Sequence, residues 1–338
     1  MTYISFPGIG INEFSVNSVA FEIGPFSVRW YGIIITVGII LAFFYLNYRG
    51  KKFEGLTDDD VFDYAIAGVV FGIIGARIYY VATEFGRFKA DTFWKTLKNI
   101  VAIWNGGLGF YGGLILGLLS VVVISLFKKK NPFKVFDACS LGVMIAQVCG
   151  RWGNFMNGEA HGGETSLPWA MGLRSSLDET VTYYHPTFFY ESLWNLVGFL
   201  IINATYKHKK YDGQIVLRYI SWYGFGRMFI EGLRTDSLYV GQFRISQVVG
   251  FLCFFFGSAA LIALDIVHAN RRKAALLREA VSDEKTEETA EIAETAEKSD
   301  ASAETAPETA EKAEETENAE EGFDIRQLHA EDRKDEDN

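Results

Sequence analysis

The stretch VFDACSLGVMIAQVC at residues 135–149 runs directly into GRWGNFMNGEAHGG at residues 150–163. The first segment is apolar enough to lie in a membrane, whereas the second adds an arginine, two asparagines and a glutamate at its end. Charged and hydrogen-bonding side chains at the edge of a bilayer are costly, so a chain usually places them there for chemistry or transport. This junction therefore predicts a membrane protein with a functional site at the end of a transmembrane helix.

Similar apolar runs recur along the chain, and most have the length of about 20 residues that a helix needs to cross a bilayer. The fourth and sixth runs are short, and the sixth also carries Arg218 and Arg227, so we expect both to be tilted or irregular. We predict an all-α polytopic membrane protein with about seven transmembrane helices. The seven runs are Val28–Tyr48, Val61–Ala82, Leu108–Phe127, Val135–Cys149, Pro186–Tyr206, Ile215–Ile230 and Ile245–Val267.

Clusters of lysine and arginine follow the first, third, fifth and seventh runs, which places them in alternate loops. Because basic loops stay in the cytoplasm, we predict that the N-terminus lies outside and the C-terminal tail inside. One outer segment, residues 86–105, is also basic, and its aromatic residues predict an amphipathic stretch on the outer leaflet. The four clusters are Arg49–Lys52, Lys128–Lys134, Lys207–Lys210 and Arg271–Lys273.

Charge divides the chain into a basic body and an acidic tail. From Ala274 onward there are 23 acidic and 7 basic residues, which leaves 19 acidic and 25 basic residues in the body, a net charge of +6. The acidic segment has too few large apolar residues to bury a core. We therefore predict an extracytoplasmic arm at 1–27, a seven-span domain at 28–268 with a small outer head at 151–185, and a disordered cytoplasmic tail at 269–338.

The three cysteines, Cys139, Cys149 and Cys253, all lie in apolar runs. This placement supports neither a disulfide framework nor a metal cluster. We expect buried, inert thiols, because no histidine lies near Cys149 in the sequence.

Polar side chains on three separate outer segments could line one cavity. Those that end the sixth run are spaced by four, eight and eleven residues, so on a helix they lie within about 80° of one another. An ion ladder within that helix would also explain the stripe, but near a membrane the stripe must face protein or a wet cavity. The residues are Arg151, Asn154, Asn157 and Glu159 on the fourth run, His185, Tyr190 and Glu191 on the fifth, and Tyr223, Arg227, Glu231 and Arg234 on the sixth.

The arginines in this set indicate an anionic ligand. Arginine is permanently charged and donates two parallel hydrogen bonds, which suits it to phosphate. A cavity that opens to the outer leaflet then indicates a phospholipid headgroup, with the glutamates holding the arginines in place. A seven-span transporter for an anionic substrate and a different phospholipid-headgroup transferase stay open as alternatives.

The same residues resemble a known family, the bacterial phosphatidylglycerol–prolipoprotein diacylglyceryl transferases (the Lgt family). GRWGNFMNGE, followed by Gly162, is similar to the signature segment of that family. The resemblance extends over about residues 20–268 and leaves out the acidic tail. It is carried by VRWYG at 28–32, GAR at 75–77, GGLGFYGG at 106–113, Asp137, HPTFFYE at 185–191 and YGFGRMFIEGLR at 223–234.

The resemblance implies a reaction and a set of site residues. The diacylglyceryl group of phosphatidylglycerol would pass to the lipobox cysteine of a preprolipoprotein signal peptide, forming a thioether and releasing glycerol phosphate. It implies a multi-pass protein of the bacterial cytoplasmic membrane that needs no metal or organic cofactor and binds no nucleic acid. The implied catalytic residues are Arg151, Arg227, Tyr111 and Glu159, and the implied substrate-binding residues are Tyr31, Arg77, Asn154, Asn157, Gly162, His185, Tyr223, Glu231 and Arg234.

Tyr111 departs from the family pattern, because many members have histidine at this position. A tyrosine is a weaker base at neutral pH, since its ordinary pKa is about 10. Three possibilities follow: nearby arginines tune Tyr111, another group such as His185 or Glu159 takes the thiol proton, or the family histidine acts mainly as a hydrogen-bonding group.

Overall fold

A computed structural model describes residues 2–24, 26–175 and 180–303. The chain divides into two units, Met1–Lys273 and Ala274–Asn338. The α-helices in the described residues are α1 (Trp30–Phe53), α2 (Asp58–Thr83), α3 (Phe93–Val101), α4 (Phe110–Phe127), α5 (Pro132–Asn157), α6 (Thr187–Thr205), α7 (Gln214–Leu233) and α8 (Ile245–Ala303). The strands there are β1 (Thr2–Phe6), β2 (Ile11–Val16), β3 (Val19–Ile23), β4 (Phe26–Arg29), β5 (Met171–Ser175), β6 (Thr182–Tyr184), β7 (Tyr239–Val240) and β8 (Phe243–Arg244).

Each of the seven apolar runs coincides with a helix. Within the described residues, five helices are long and apolar enough to cross a membrane: α1, α2, α4, α5 and the Ile245–Glu287 part of α8. The other two runs form α6, of 19 residues, and α7, of 20 residues. Both carry the charged side chains of the site, such as Glu191 and Arg227, which lowers their apolar character.

The helix α5 is longer than the apolar run that predicted it. Its N-terminus is capped by the side chain of Asn131, which accepts a hydrogen bond from Phe133 N, and Pro132 occupies the first turn. The helix then continues through the polar signature to Asn157 and ends at Gly158, whose φ of 66° is left-handed. The expectation of a short fourth span is therefore wrong, because the signature extends the helix rather than breaking it.

The expectation of an all-α protein is also wrong in part. A four-stranded sheet in the order β2-β1-β5-β6 joins the N-terminal arm to the segment before α6. Ile4 on β1 and Met171 on β5 are almost fully buried and pack with Phe188 of α6 in one apolar cluster. The N-terminal arm and the strands β5 and β6, which the sequence separates, therefore form one small sheet beside the end of α5 and the start of α6.

Close contact between backbones fixes α2 against α4. A Cβ atom added to Gly75 would lie 2.3 Å from the carbonyl oxygen of Gly112, and one added to Gly112 would lie 2.2 Å from that of Gly75. Only glycine permits this approach, which is typical of packing between membrane helices. The two helices therefore form a rigid pair.

A buried ion cluster fixes the start of α7 against α5. Asp137 of α5, fully buried, accepts hydrogen bonds from Gly213 N at 2.8 Å and Val216 N at 2.9 Å, so it caps α7 from another helix. Lys209 Nζ contacts Asp137 at 3.2 Å and Glu54 at 2.5 Å. Burial lowers the pKa of Lys209, but the two carboxylates raise it by more, so the pKa lies above its usual value. The cluster sets the position from which α7 runs to the site.

The described part of the acidic segment, residues 274–303, is helical. The helix α8 continues through Lys273 to Ala303. Alanine and glutamate, which dominate this segment, are strong helix formers. Residues 304–338 of the predicted tail lie outside the described residues.

Candidate functional site

The centre of the candidate site is a carboxylate shared by two arginines. Arg151 of α5 donates from Nη2 to Glu191 Oε1 at 2.7 Å, and Arg227 of α7 donates from Nη1 to Glu191 Oε2 at 2.8 Å. Glu191 lies on α6, so one side chain connects three helices. The arginines, predicted to share a cavity, are therefore brought together.

A second carboxylate completes this group. Arg227 Nη2 lies 2.5 Å from Glu231 Oε2, one turn along α7, in a close ion pair rather than an aligned hydrogen bond. The glutamate side chains are only 3% and 2% exposed, whereas Arg151 is 19% and Arg227 13% exposed. We call Arg151, Glu191, Arg227 and Glu231 the arginine–glutamate cluster; its two positive and two negative charges balance, and its arginines are more exposed than its glutamates.

The ion ladder within α7 is present only in part. Arg227 pairs with Glu231, but it also reaches across to α6. Arg234, at the end of the helix, forms a two-pronged contact with Asp236 at 2.9 and 2.7 Å. Partial burial of Asp236 raises the pKa of its carboxyl, but the hydrogen bonds from Arg234 lower it by more. The pKa of Asp236 therefore lies below its usual value.

The amides of the signature extend the cluster toward Glu159. Arg151 Nη1 donates to Asn154 Oδ1 at 3.2 Å, and Asn154 Nδ2 donates to Glu159 Oε1 at 3.1 Å. Asn157 Nδ2 donates to the same oxygen at 3.0 Å. The left-handed turn at Gly158 lets the chain reverse, so that Glu159 faces the last turn of α5. These residues of the signature segment form one hydrogen-bonded chain.

Gly162 lies where three segments cross. It forms a β-bridge with Arg234, and its N–H donates to His185 O at 2.9 Å. An added Cβ would lie 2.7 Å from His185 Cβ and 2.9 Å from Leu233 O. Glycine is therefore required here by space, because the signature loop packs directly on the start of α6 and the end of α7.

Three further predicted residues, Tyr31, Tyr223 and His185, lie near the cluster or the signature loop. The ring of Tyr31 packs on Gly153, whose missing Cβ would lie 2.9 Å from Tyr31 Cδ2. Tyr223 interacts electrostatically with Glu191 and with both arginines. His185 Nδ1 lies 3.4 Å from the hydroxyl of Tyr190. The structure therefore places these predicted residues around the cluster or next to the signature loop.

Arg77 has a different environment. Its guanidinium donates to five main-chain carbonyls, those of Asn99, Ile100, Ala102, Gly106 and Gly107, at 2.5 to 3.1 Å. The side chain is buried and lies over the ring of Phe88. All five N–H groups are thereby used to hold the segment between α3 and α4, which leaves none for a substrate in this conformation.

Tyr111 lies in the first turn of α4. The centroid of its ring lies 6.4 Å from that of Tyr79 and 5.6 Å from that of Phe110. Within the part of the chain that the structure describes, no hydrogen bond or ion pair joins Tyr111 to the arginine–glutamate cluster. The three possibilities for the base stay open.

Glu191 was predicted to line the cavity, but it is not among the catalytic or substrate-binding residues that the family resemblance implied. The signal was available, because a glutamate inside an apolar membrane run needs a partner. What the sequence could not show is that this partner is a pair of arginines on two other helices. Among the described residues, no group of three His, Cys, Asp or Glu side chains could hold a metal ion.

Comparison with known proteins identifies the family of this chain. A relative from Lactobacillus delbrueckii subsp. bulgaricus is 44% identical over 268 residues, which cover 76% of this chain and 92% of the relative. One from Lactobacillus acidophilus is 43% identical over 270 residues, covering 76% and 91%, and one from Staphylococcus aureus is 41% identical over 254 residues, covering 73% and 88%. All three are named phosphatidylglycerol–prolipoprotein diacylglyceryl transferase. The family model described as prolipoprotein diacylglyceryl transferase matches residues 18–263. The chain belongs to the prolipoprotein diacylglyceryl transferase family.

Proposed function

We propose that this protein transfers the diacylglyceryl group of phosphatidylglycerol to the lipobox cysteine of preprolipoproteins, the first step of bacterial lipoprotein maturation. The observation that carries the proposal is the pair Arg151 and Arg227, held on separate helices by the buried Glu191. Two guanidinium groups that converge in this way suit the phosphate of a lipid headgroup. The family membership supports the same substrate.

The reaction is a substitution at carbon. The cysteine thiol loses its proton to a base, and the thiolate attacks the glycerol carbon that bears the phosphate ester. An S–C bond forms while the C–O bond breaks, and glycerol phosphate leaves with the electron pair. Negative charge grows on the leaving phosphate, so Arg151 and Arg227 stabilise the transition state more than the bound lipid.

The other predicted residues take supporting parts in this proposal. Asn154 and Asn157 orient Glu159 beside Arg151, and Glu231 holds Arg227. Gly162 and Arg234 set the crossing of the signature loop with α7. Tyr31, Tyr223 and His185 border the headgroup, and Tyr111, His185 or Glu159 takes the thiol proton. Arg77 supports the site by ordering the segment that leads into α4.

We further propose the topology. In this topology α6 and α7 also cross the membrane, which gives seven crossings in total. The two helices follow and precede spanning helices in the chain, pack against each other and carry two walls of the site. The basic clusters support cytoplasmic ends for α1, α4, α6 and the membrane part of α8, with the N-terminus outside. The arginine–glutamate cluster then faces the outer leaflet, where phosphatidylglycerol and exported signal peptides meet.

Single substitutions of the two arginines test the proposal. Arg151→Ala and Arg227→Ala are each expected to lower transfer to a lipobox peptide in detergent by about 10²-fold or more. Arg87→Ala is the matched control, because Arg87 is 69% exposed and its partners are the exposed Glu84 and the hydroxyl of Tyr80, away from the cluster. Near-normal transfer by both cluster variants, with Arg87→Ala also normal, would end the idea of a phosphate clamp.

A further inference from the structure

Glu191 occupies one N–H donor on each of the two arginines that we propose to bind the phosphate. Its carboxylate is 3% exposed and accepts one N–H group from Arg151 and one from Arg227. A carboxylate and a phosphate ester both present two oxygens to guanidinium groups. The two anions therefore compete for the same hydrogen bonds.

The net charge of the cluster determines how strongly it binds the substrate phosphate and the product phosphate. Its two arginines and two glutamates balance, so a bound phosphodiester brings the group to a net charge of about −1 at neutral pH. Breaking the C–O bond gives glycerol phosphate, which carries additional negative charge. Because Glu191 and Glu231 are almost fully buried, water screens their repulsion of this product poorly.

We propose that Glu191 is a positioning residue that acts as a resident counter-anion for the phosphate clamp. It holds Arg151 and Arg227 at the spacing that a phosphate needs, and it takes their N–H groups back as glycerol phosphate leaves. Product release is thereby built into the site. This inference rests on the proposed function, since the product is the one that diacylglyceryl transfer generates.

A merely structural bridge makes different predictions. If Glu191 only tied α5, α6 and α7 together, its loss would lower stability and turnover without changing the preference of the site for product. If it competes with phosphate, removing its charge strengthens the binding of glycerol phosphate. The inhibition constant of glycerol phosphate therefore separates the two roles.

The test uses the full chain purified in detergent, with labelled phosphatidylglycerol and a lipobox peptide. Glu191→Gln keeps the shape of the side chain and removes its charge. We expect the inhibition constant of glycerol phosphate to fall about tenfold, which corresponds to about 1.4 kcal/mol, and turnover to fall because release becomes slower. Glu191→Asp keeps the charge, so its inhibition constant should stay within about twofold of the wild-type value. Glu84→Gln, at an exposed surface pair, should change neither quantity.

An inhibition constant of Glu191→Gln within about twofold of wild type overturns the proposal, whatever its turnover. If that variant does not fold, Glu231→Gln removes the other buried negative charge and should likewise tighten binding of glycerol phosphate; an unchanged value would overturn the proposal equally. Calorimetric titration measures the binding of glycerol phosphate without any transfer reaction. It therefore tests the counter-anion role of Glu191 separately from the proposed function. A wild-type protein that transfers nothing to the peptide contradicts the proposed function, while the effect of Glu191→Gln on phosphate binding still decides the counter-anion role.

Discussion

Replacing Gly162 by alanine tests whether the crossing of the signature loop sets the geometry of the site. The added Cβ would lie 2.7 Å from His185 Cβ, 2.9 Å from Leu233 O and 3.0 Å from Thr187 Cγ2. Carbon atoms pack best at about 3.5–4.0 Å, so the loop must move by roughly 1 Å away from α6 and α7. Overpacking of this kind costs about 1–3 kcal/mol, which a folded protein can survive.

The effect on catalysis should exceed the effect on stability. A displacement of about 1 Å in a catalytic arrangement can cost about 10²-fold in rate. Glu159, three residues before Gly162, would move with the loop. We therefore expect Gly162→Ala to retain its fold and to lose about 10²-fold in transfer rate.

The neighbouring glycine supplies the control. A Cβ added to Gly163 would meet nothing within 4 Å, so Gly163→Ala should keep transfer within about twofold of wild type. The assay compares the thermal unfolding midpoint in detergent with the rate of diacylglyceryl transfer to a lipobox peptide. Equal rates for Gly162→Ala and Gly163→Ala would refute the reasoning.

Three further predictions address the rest of the site. Arg77→Ala should lower the free energy of unfolding by about 3 kcal/mol or more, because five carbonyls lose a charged donor; a variant of normal thermal stability that has lost activity would contradict a structural role. Tyr111→Phe should keep transfer within about tenfold of wild type, since the hydroxyl has no hydrogen bond to the cluster among the described residues; a loss of 10²-fold or more would assign the base to this hydroxyl. Deleting residues 280–338 should leave turnover intact, because the family match ends at residue 263, and an inactive truncation would show that the tail has a catalytic role.

The positions of the helices were predictable, and one of their ends was not. Hydropathy locates helices well because each span must be apolar over its length. At the end of α5 the sequence shows glycines and polar residues, which favour a loop. Gly153 is nevertheless helical, and its small size accommodates the ring of Tyr31.

The sheet was not predictable for a different reason. β1 pairs with β5, which follows it by more than 160 residues, and Ile4 lies opposite Leu173. No local pattern reports such a pairing, because each strand is short and gains its stability only from the partner and from burial against Phe188. β1 and β5 lie far apart in the sequence, whereas the fold places them side by side.

The site, too, was predictable from the sequence only in part. The arginine pair Arg151 and Arg227 was predictable, since charges in membrane helices need a function. The roles of Glu191 and Arg77 depend on which groups lie opposite them. Both are charged side chains in apolar runs of the sequence. Glu191 faces two arginines, whereas Arg77 faces five carbonyls, so the two residues have different roles in the structure.

The central claim is that the arginine–glutamate cluster binds phosphatidylglycerol for transfer of its diacylglyceryl group to a cysteine. The most direct test incubates the purified protein with labelled phosphatidylglycerol and a lipobox peptide and measures the mass of the peptide. We predict the added mass of one diacylglyceryl group on the cysteine, formed about 10²-fold or more slowly when Arg151→Ala replaces the wild type. An unmodified peptide with active lipid and folded protein, or a peptide modified as fast by the Arg151→Ala variant as by the wild type, would contradict the claim.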